Sequence, residues 1–253
     1  MDAVLLTALG VGGATVFGAL LGFIFKNPSH RLNDMILSFA SGVMLAAAVV
    51  GLIIPSLETS SSKLSILVTV VGVICGAVCL NFIDVLVPHL HRLVGEDTES
   101  HPENARQLSR VLLFVIAIAI HNLPEGIAAG VSFGGGESAQ AISVSLGIAL
   151  QNIPEGMVII APMIAAGISR PRAFLIALST GIVEVVGTFI GYFASSISPA
   201  VMSFALAFAG GTMLYVISDE MIPETHSHGN ERVSTYTLLV GFCVMLAVDF
   251  FIG

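Results

Sequence analysis

Two similar groups of polar residues lie inside long apolar stretches of this chain. The first reads His-Asn-Leu-Pro-Glu-Gly from His121 to Gly126, and the second reads Gln-Asn-Ile-Pro-Glu-Gly from Gln151 to Gly156. A carboxylate inside a membrane costs about 2.5–3.5 kcal/mol on insertion scales. A proline in a helix interior costs about 3 kcal/mol because it removes a backbone hydrogen bond. The chain carries this unfavourable combination of proline and glutamate twice, at the same spacing. The repetition predicts a functional site.

The spacing within each group places its polar side chains on one face of a helix. His121 and Glu125 are four residues apart and Asn122 and Glu125 are three apart, so the imidazole and the amide both lie within reach of the carboxylate. The second group repeats the arrangement with Gln151, Asn152 and Glu155. Two such helices, facing each other, bring an imidazole, three amides and two carboxylates to one point.

These six side chains form a ligand set of nitrogen and oxygen atoms in apolar surroundings. Such a set suits Zn²⁺, Fe²⁺ or Mn²⁺ better than an ion that seeks thiolates. The alternative is that the prolines only kink their helices, while Glu125 and Glu155 are neutral and hydrogen-bonded. Ionisable groups inside a membrane are functional by default, and here the arrangement occurs twice. The sequence therefore favours an intramembrane metal site.

A third carboxylate, Glu184, lies in the middle of another apolar stretch, between Thr180 and Thr188. No basic residue is near it in the sequence that could neutralise its charge. The simplest partner for its carboxylate is therefore a metal ion shared with Glu125 and Glu155. Four more acidic residues lie toward the ends of apolar stretches. They are either interfacial residues or successive binding points for a cation that leaves the site. These residues are Asp84, Asp219, Glu220 and Asp249.

The composition is that of a membrane protein. Hydrophobic residues make up 55% of the 253 residues and charged residues only 10%, against about 25% charged in an ordinary soluble domain. The net charge of −8 is not the footprint of a nucleic-acid-binding protein. We predict one all-α transmembrane domain, residues 1–253, with eight helices in the lipid bilayer. The predicted spans are 3–25, 32–54, 64–87, 108–132, 139–165, 173–196, 200–221 and 234–252.

The basic residues predict the orientation of the spans. Eight Lys and Arg residues lie in the loops after spans one, three, five and seven or, for Arg110, at the start of the fourth span, and the other loops hold only Lys63. Because cytoplasmic loops are rich in Lys and Arg, both termini are predicted to be extracytoplasmic, in the cytoplasmic (inner) membrane. The loop 88–107 is then cytoplasmic. Its His89 and His91 are either solvated loop residues or metal-collecting residues on the transport path.

The paired motifs resemble those of the ZIP (Zrt-, Irt-like protein) family of divalent-metal transporters, and most closely its bacterial members without long histidine-rich insertions. The similarity covers nearly the whole chain: eight spans, a polar loop after the third, and the two motifs on helices four and five. The resemblance implies that helices 1–3 and 6–8 are inverted repeats around helices 4 and 5. It also implies a homodimer, since family members are often dimeric.

The resemblance further implies a binuclear metal centre. The first position, which holds the transported ion, takes Met44, His121, Glu125, Gln151 and Glu155. The second position takes Asn122, Asn152, Glu155 and Glu184, with Glu155 bridging. Many members have His where this chain has Gln151, and some have Asp where it has Asn152. Gln151 is a weaker and less zinc-specific ligand than His, and Asn152 removes a charge from the second position, so that position need not be permanently occupied. The two departures together imply that Cd²⁺, Fe²⁺ or Mn²⁺ is also accepted.

The predicted function is the transport of a divalent cation, Zn²⁺ first, toward the cytoplasm. One alternative is a proton or monovalent-cation transporter, which would use the same carboxylates without needing His121. Another is an intramembrane metalloenzyme, but the sequence has neither a His-Glu-x-x-His helix nor a Gly-x-Ser-x-Gly elbow. We therefore expect a transporter and not an enzyme.

Overall fold

The computed structural model describes residues 2–24, 29–58, 65–86, 119–133, 138–165 and 167–252. Within these ranges the chain forms helices and short turns and contains no strand, which confirms the all-α prediction. The predicted loop 88–107, with His89 and His91, lies outside the described residues, as does the first part of the predicted fourth span.

We number the membrane helices in chain order. They are α1 (Asp2–Ile24), α2 (His30–Glu58), α3 (Ser65–Leu86), α4 (119–132), α5 (Ser138–Ala165), α6 (Arg170–Ser195), α7 (Pro199–Val216, continued by Ile217–Met221 and Ile222–Thr225) and α8 (Glu231–Ile252). Within the described residues, seven of these helices are long and apolar enough to cross a membrane, all except α4. The chain is therefore a polytopic integral membrane protein.

Two helices change their winding close to a proline. The segment Ala47–Ile53 of α2 is π-helical and precedes Pro55, and the segment Ile217–Met221 of α7 is π-helical and precedes Pro223. The predicted spans end at 54 and 221, whereas both helices continue beyond the proline. The wider winding absorbs the missing backbone donor, because it changes which carbonyl each amide reaches.

Glycines bring the site-bearing helices into backbone contact. A Cβ added at Gly156 would collide with the carbonyl of Thr15, so α5 can lie this close to α1 only without a side chain there. In the same way, a Cβ at Gly126 would collide with the carbonyl of Glu184, where α4 meets α6. Small residues allow such close approach in membranes. The last residue of each Pro-Glu-Gly motif is thus a packing residue.

The remaining helices meet this group through side chains as well. α3 packs on α7 and α8 packs on α2, while α2 and α8 both touch α5. At these outer contacts with α5, a Cβ at Gly51 would meet the side chain of Val144, and one at Gly147 would meet the thioether of Met245. The core lies where α2, α4, α5 and α7 converge, and it is built largely from alanine, valine and methionine.

Candidate metal centre

Glu184 is the hub of a buried hydrogen-bond network that joins four helices. Its Oε1 accepts hydrogen bonds from Thr15 Oγ1 of α1 and from Asn122 Nδ2 of α4, each at 2.6 Å. Its Oε2 accepts one from Asn152 Nδ2 of α5 at 2.7 Å. Three donors satisfy most of what a buried carboxylate requires. The structure thus brings together three of the four residues predicted for the second position.

The neighbouring polar atoms lack such donors. Within the two motifs, five buried side-chain oxygen atoms have no hydrogen-bond partner among the described residues: both carboxylate oxygens of Glu125 and the amide oxygens of Asn122, Gln151 and Asn152. The Gln151 amide lies beside the Glu125 carboxylate, but outside hydrogen-bonding geometry. A buried acceptor without a donor carries a desolvation cost of about 1–3 kcal/mol. An excess of acceptors over donors is what a cation would satisfy.

Glu155 is close enough to interact electrostatically with both buried carboxylates and with His121. Its electrostatic neighbours are Glu125, Glu184 and His121. His121 Nε2 is 3.2 Å from Glu220 Oε1, on the π-helical segment of α7. His121, Glu155 and Glu220 are partly exposed, whereas Glu125 and Glu184 are fully buried. The centre therefore has a closed end and an open end.

The side chains do not form a closed cage of the usual metal ligands. Among the residues that the structure describes, no three His, Cys, Asp or Glu side chains gather closely enough to hold one ion. Met44 is buried in the apolar core with Ala128 and Ala129 of α4. A complete shell around an ion would therefore draw on the amide oxygens beside Glu125 or on a movement of the side chains.

The predicted pathway residues lie at different places. Asp249 of α8 accepts a hydrogen bond from Ser143 of α5 at 3.1 Å. Asp219 is exposed and accepts one from Tyr215 at 3.4 Å, while Asn81 of α3 donates to the same hydroxyl. Glu220 faces His121, and the side chain of Asp84 lies outside the described residues.

Thr15 is the residue of this centre that the sequence analysis missed. A signal for it is present in the glycine spacing. Gly12, Gly18 and Gly22 surround Thr15 at the same spacing at which Gly181, Gly187 and Gly191 surround Glu184. Thr15 in α1 therefore occupies the position that Glu184 occupies in α6, and the two side chains meet.

Comparisons with known proteins give a consistent result. A family model described as "ZIP Zinc transporter" matches residues 88–249. The chain is 40% identical to "Zinc transporter GufA" of Myxococcus xanthus, over 100% of both chains. It is 36% identical to "Zinc transporter ZIPB" of Bordetella bronchiseptica, over 95% of this chain and 78% of the relative. It is 32% identical to "Zinc transporter ZupT" of Chlorobium chlorochromatii, over 94% and 92%.

Proposed function

Because the chain belongs to the ZIP family of zinc transporters, we propose that it carries Zn²⁺ across a membrane through the centre between α4, α5 and α6. The family membership confirms the resemblance found in the motifs, and with it the prediction of a transporter and not an enzyme. Zinc as the transported ion is supported by relatives that are named zinc transporters and that this chain matches over nearly their whole length.

The observation that carries this proposal is the group of five buried, donor-less oxygens in the two motifs. A proton on Glu125 adds one O–H donor, which can satisfy only one further acceptor. A divalent cation at Glu125 interacts with the carboxylate and with the amide oxygen of Gln151 together. The amide oxygens are neutral ligands, so they hold the ion less tightly than a closed cage of thiolates and imidazoles would. A transporter needs binding of this intermediate strength because the ion must leave again.

We place the transported ion at the first position, with Glu125 and Gln151 as its buried ligands. Glu155 and His121 are its ligands at the open end, and Met44 completes the shell from α2. Glu184 and the two asparagines form the second position of a binuclear centre, which Glu155 bridges. Ligands must be deprotonated to bind a metal, so ion entry releases protons.

The open end supports movement toward the cytoplasm. Glu220 and His121 lie at that end, and Glu220 is five residues from the end of α7 at Thr225. The distribution of Lys and Arg supports an orientation in the inner membrane with that end of α7 in the cytoplasm and both termini on the other side. The His121–Glu220 pair is then the first binding point for an ion that moves from the centre toward the cytoplasm.

Helix contacts support an eight-helix fold with inverted repeats. Gly42 of α2 meets the carbonyl of Leu238 in α8, and Gly211 of α7 meets the carbonyl of Val73 in α3. These contacts are equivalent if α2 corresponds to α7 and α3 to α8. The π-helical segments before the prolines of α2 and α7 obey the same correspondence. The homodimer implied by the family stays a prediction. The exposed apolar side chains of α3 and α8 are suited to contact with lipid.

The metal class distinguishes this function from monovalent-cation transport. We expect full-length protein in liposomes to take up Zn²⁺ at a rate that a large excess of external Na⁺ leaves unchanged, because Na⁺ cannot use the imidazole of His121. Cd²⁺, Fe²⁺ and Mn²⁺ are expected to compete, since Gln151 commits the site less firmly to zinc than His would. An entrapped zinc-sensitive dye measures the uptake. Sodium flux through the protein, with no zinc signal, would establish the monovalent alternative.

A further inference from the structure

The Thr15 hydroxyl contributes to the centre from a helix that carries none of the predicted ligands. Thr15 is buried on α1, and its Oγ1 donates to Glu184 Oε1 at 2.6 Å. Asn122 donates to the same oxygen. One carboxylate oxygen of the second position is therefore fully engaged by protein donors.

The fold fixes this contact from both sides. Gly156 lies against the carbonyl of Thr15, and Gly126 lies against the carbonyl of Glu184. A Cβ at Gly12 would meet the carbonyl of Gly181, so α1 and α6 are also in backbone contact one turn away. These three backbone contacts hold the backbone that carries Thr15 close to the backbone that carries Glu184.

The orientation of the two asparagines depends on the state of Glu184. Both direct Nδ2 at its carboxylate, so their Oδ1 atoms point away from it and have no partner in the described part of the chain. An ion at the second position needs the opposite orientation, with Oδ1 turned toward the metal. The second position thus has a hydrogen-bonded state and a metal-bound state that exclude each other.

We propose that Thr15 is a positioning residue that favours the hydrogen-bonded state, and so weakens the binding of a second ion beside the transported one. This inference rests on the proposed function, because it assumes a first ion at Glu125. The Thr15 hydroxyl competes with a metal for Glu184 Oε1. It lowers the affinity of the second position without touching the ligands of the first.

The test is a calorimetric titration of the purified full-length protein with Zn²⁺. For Thr15→Val we expect the second binding step to tighten by about tenfold or more, since a hydrogen bond to a charged group is lost from the competing state. The affinity of the first step is expected to stay within about twofold of the wild type, because Thr15 bonds to Glu184, which belongs to the second position. Thr15→Ser keeps the donor and should restore the wild-type second step. Thr180→Val is a matched control, because in the described part of the chain the buried Thr180 hydroxyl bonds only to a carbonyl of its own helix, that of Ala177.

The outcomes separate this inference from the proposed function. Wild-type protein that binds no Zn²⁺ overturns the proposed function. Wild-type protein that binds Zn²⁺, with an identical second step in Thr15→Val and Thr15→Ser, overturns only the role of Thr15. If Thr15→Val does not fold, Thr15→Ala removes the same hydroxyl without adding bulk. In a Glu184→Ala background, which lacks the acceptor, the Thr15 substitution should have no effect on zinc binding, and a persisting effect also contradicts the role.

Discussion

Substitution of Glu125 by alanine is expected to lower zinc uptake at least about a hundredfold. Glu125 is fully buried, and both of its carboxylate oxygens lack a donor among the described residues. Loss of a group that only supports a metal ligand already costs 10- to 100-fold in affinity or activity, and Glu125 is proposed to contact the ion itself. Uptake into liposomes that contain a zinc-sensitive dye measures the loss.

Two further variants show whether the loss belongs to the site. Glu125→Gln keeps the volume and removes the charge, so it should be nearly as inactive as Glu125→Ala. Glu231→Ala removes an exposed carboxylate from the first turn of α8, outside the centre, and should transport zinc like the wild type. Zinc flux at the wild-type rate from correctly inserted Glu125→Ala protein would show that the transport path lies elsewhere.

Substitution of Gly156 by valine is expected to destabilise the protein by about 3 kcal/mol or more, at the upper end of the range for overpacking. The added side chain meets backbone, the carbonyl of Thr15 and the amide of Ala19, which cannot rotate out of the way. α1 and α5 must separate, which also draws Thr15 away from Glu184. Thermal unfolding in detergent should show a midpoint lower by on the order of 10 °C.

Gly13 of α1 provides the matched control. A Cβ at Gly13 has no atom within 4 Å, so Gly13→Val adds the same side chain in open space. Its midpoint should stay close to that of the wild type. Equal stability of the two valine variants would mean that α1 and α5 do not depend on close approach at Gly156.

The helices could be predicted from the sequence because each is a long apolar stretch bounded by polar residues. The ends of α2 and α7 could not, since Pro55 and Pro223 are ordinary signals for a helix end. Both helices instead pass the proline through a π-helical segment. That choice depends on tertiary packing around the proline, and the local sequence does not record it.

The site was predictable where its residues lie on one helix. Asn122, Glu125 and Asn152 follow from helical spacing within two motifs, and Glu184 from its isolation in an apolar stretch. The contact between His121 and Glu220 was not predictable, because it joins α4 to α7 and depends on how the π-helical segment turns Glu220. Thr15 was not predicted for a related reason. Threonine is common in membrane helices, and its role follows only from its contact with Glu184 on another helix.

The two kinds of glycine contact have a mechanical consequence. Backbone touches backbone between α1 and α5 at Gly156, between α1 and α6 at Gly12 and between α4 and α6 at Gly126. We therefore expect these four helices, which carry every proposed acidic ligand, to move together. Toward α2 and α8 the glycines of these contacts meet side chains, those of Val144 and Met245, in place of backbone, so we expect these contacts to change more easily. Exposure of the ion to the opposite side should therefore displace all four helices together. Spin labels on α1 and α5 would then keep their separation during turnover, while labels on α5 and α8 would not.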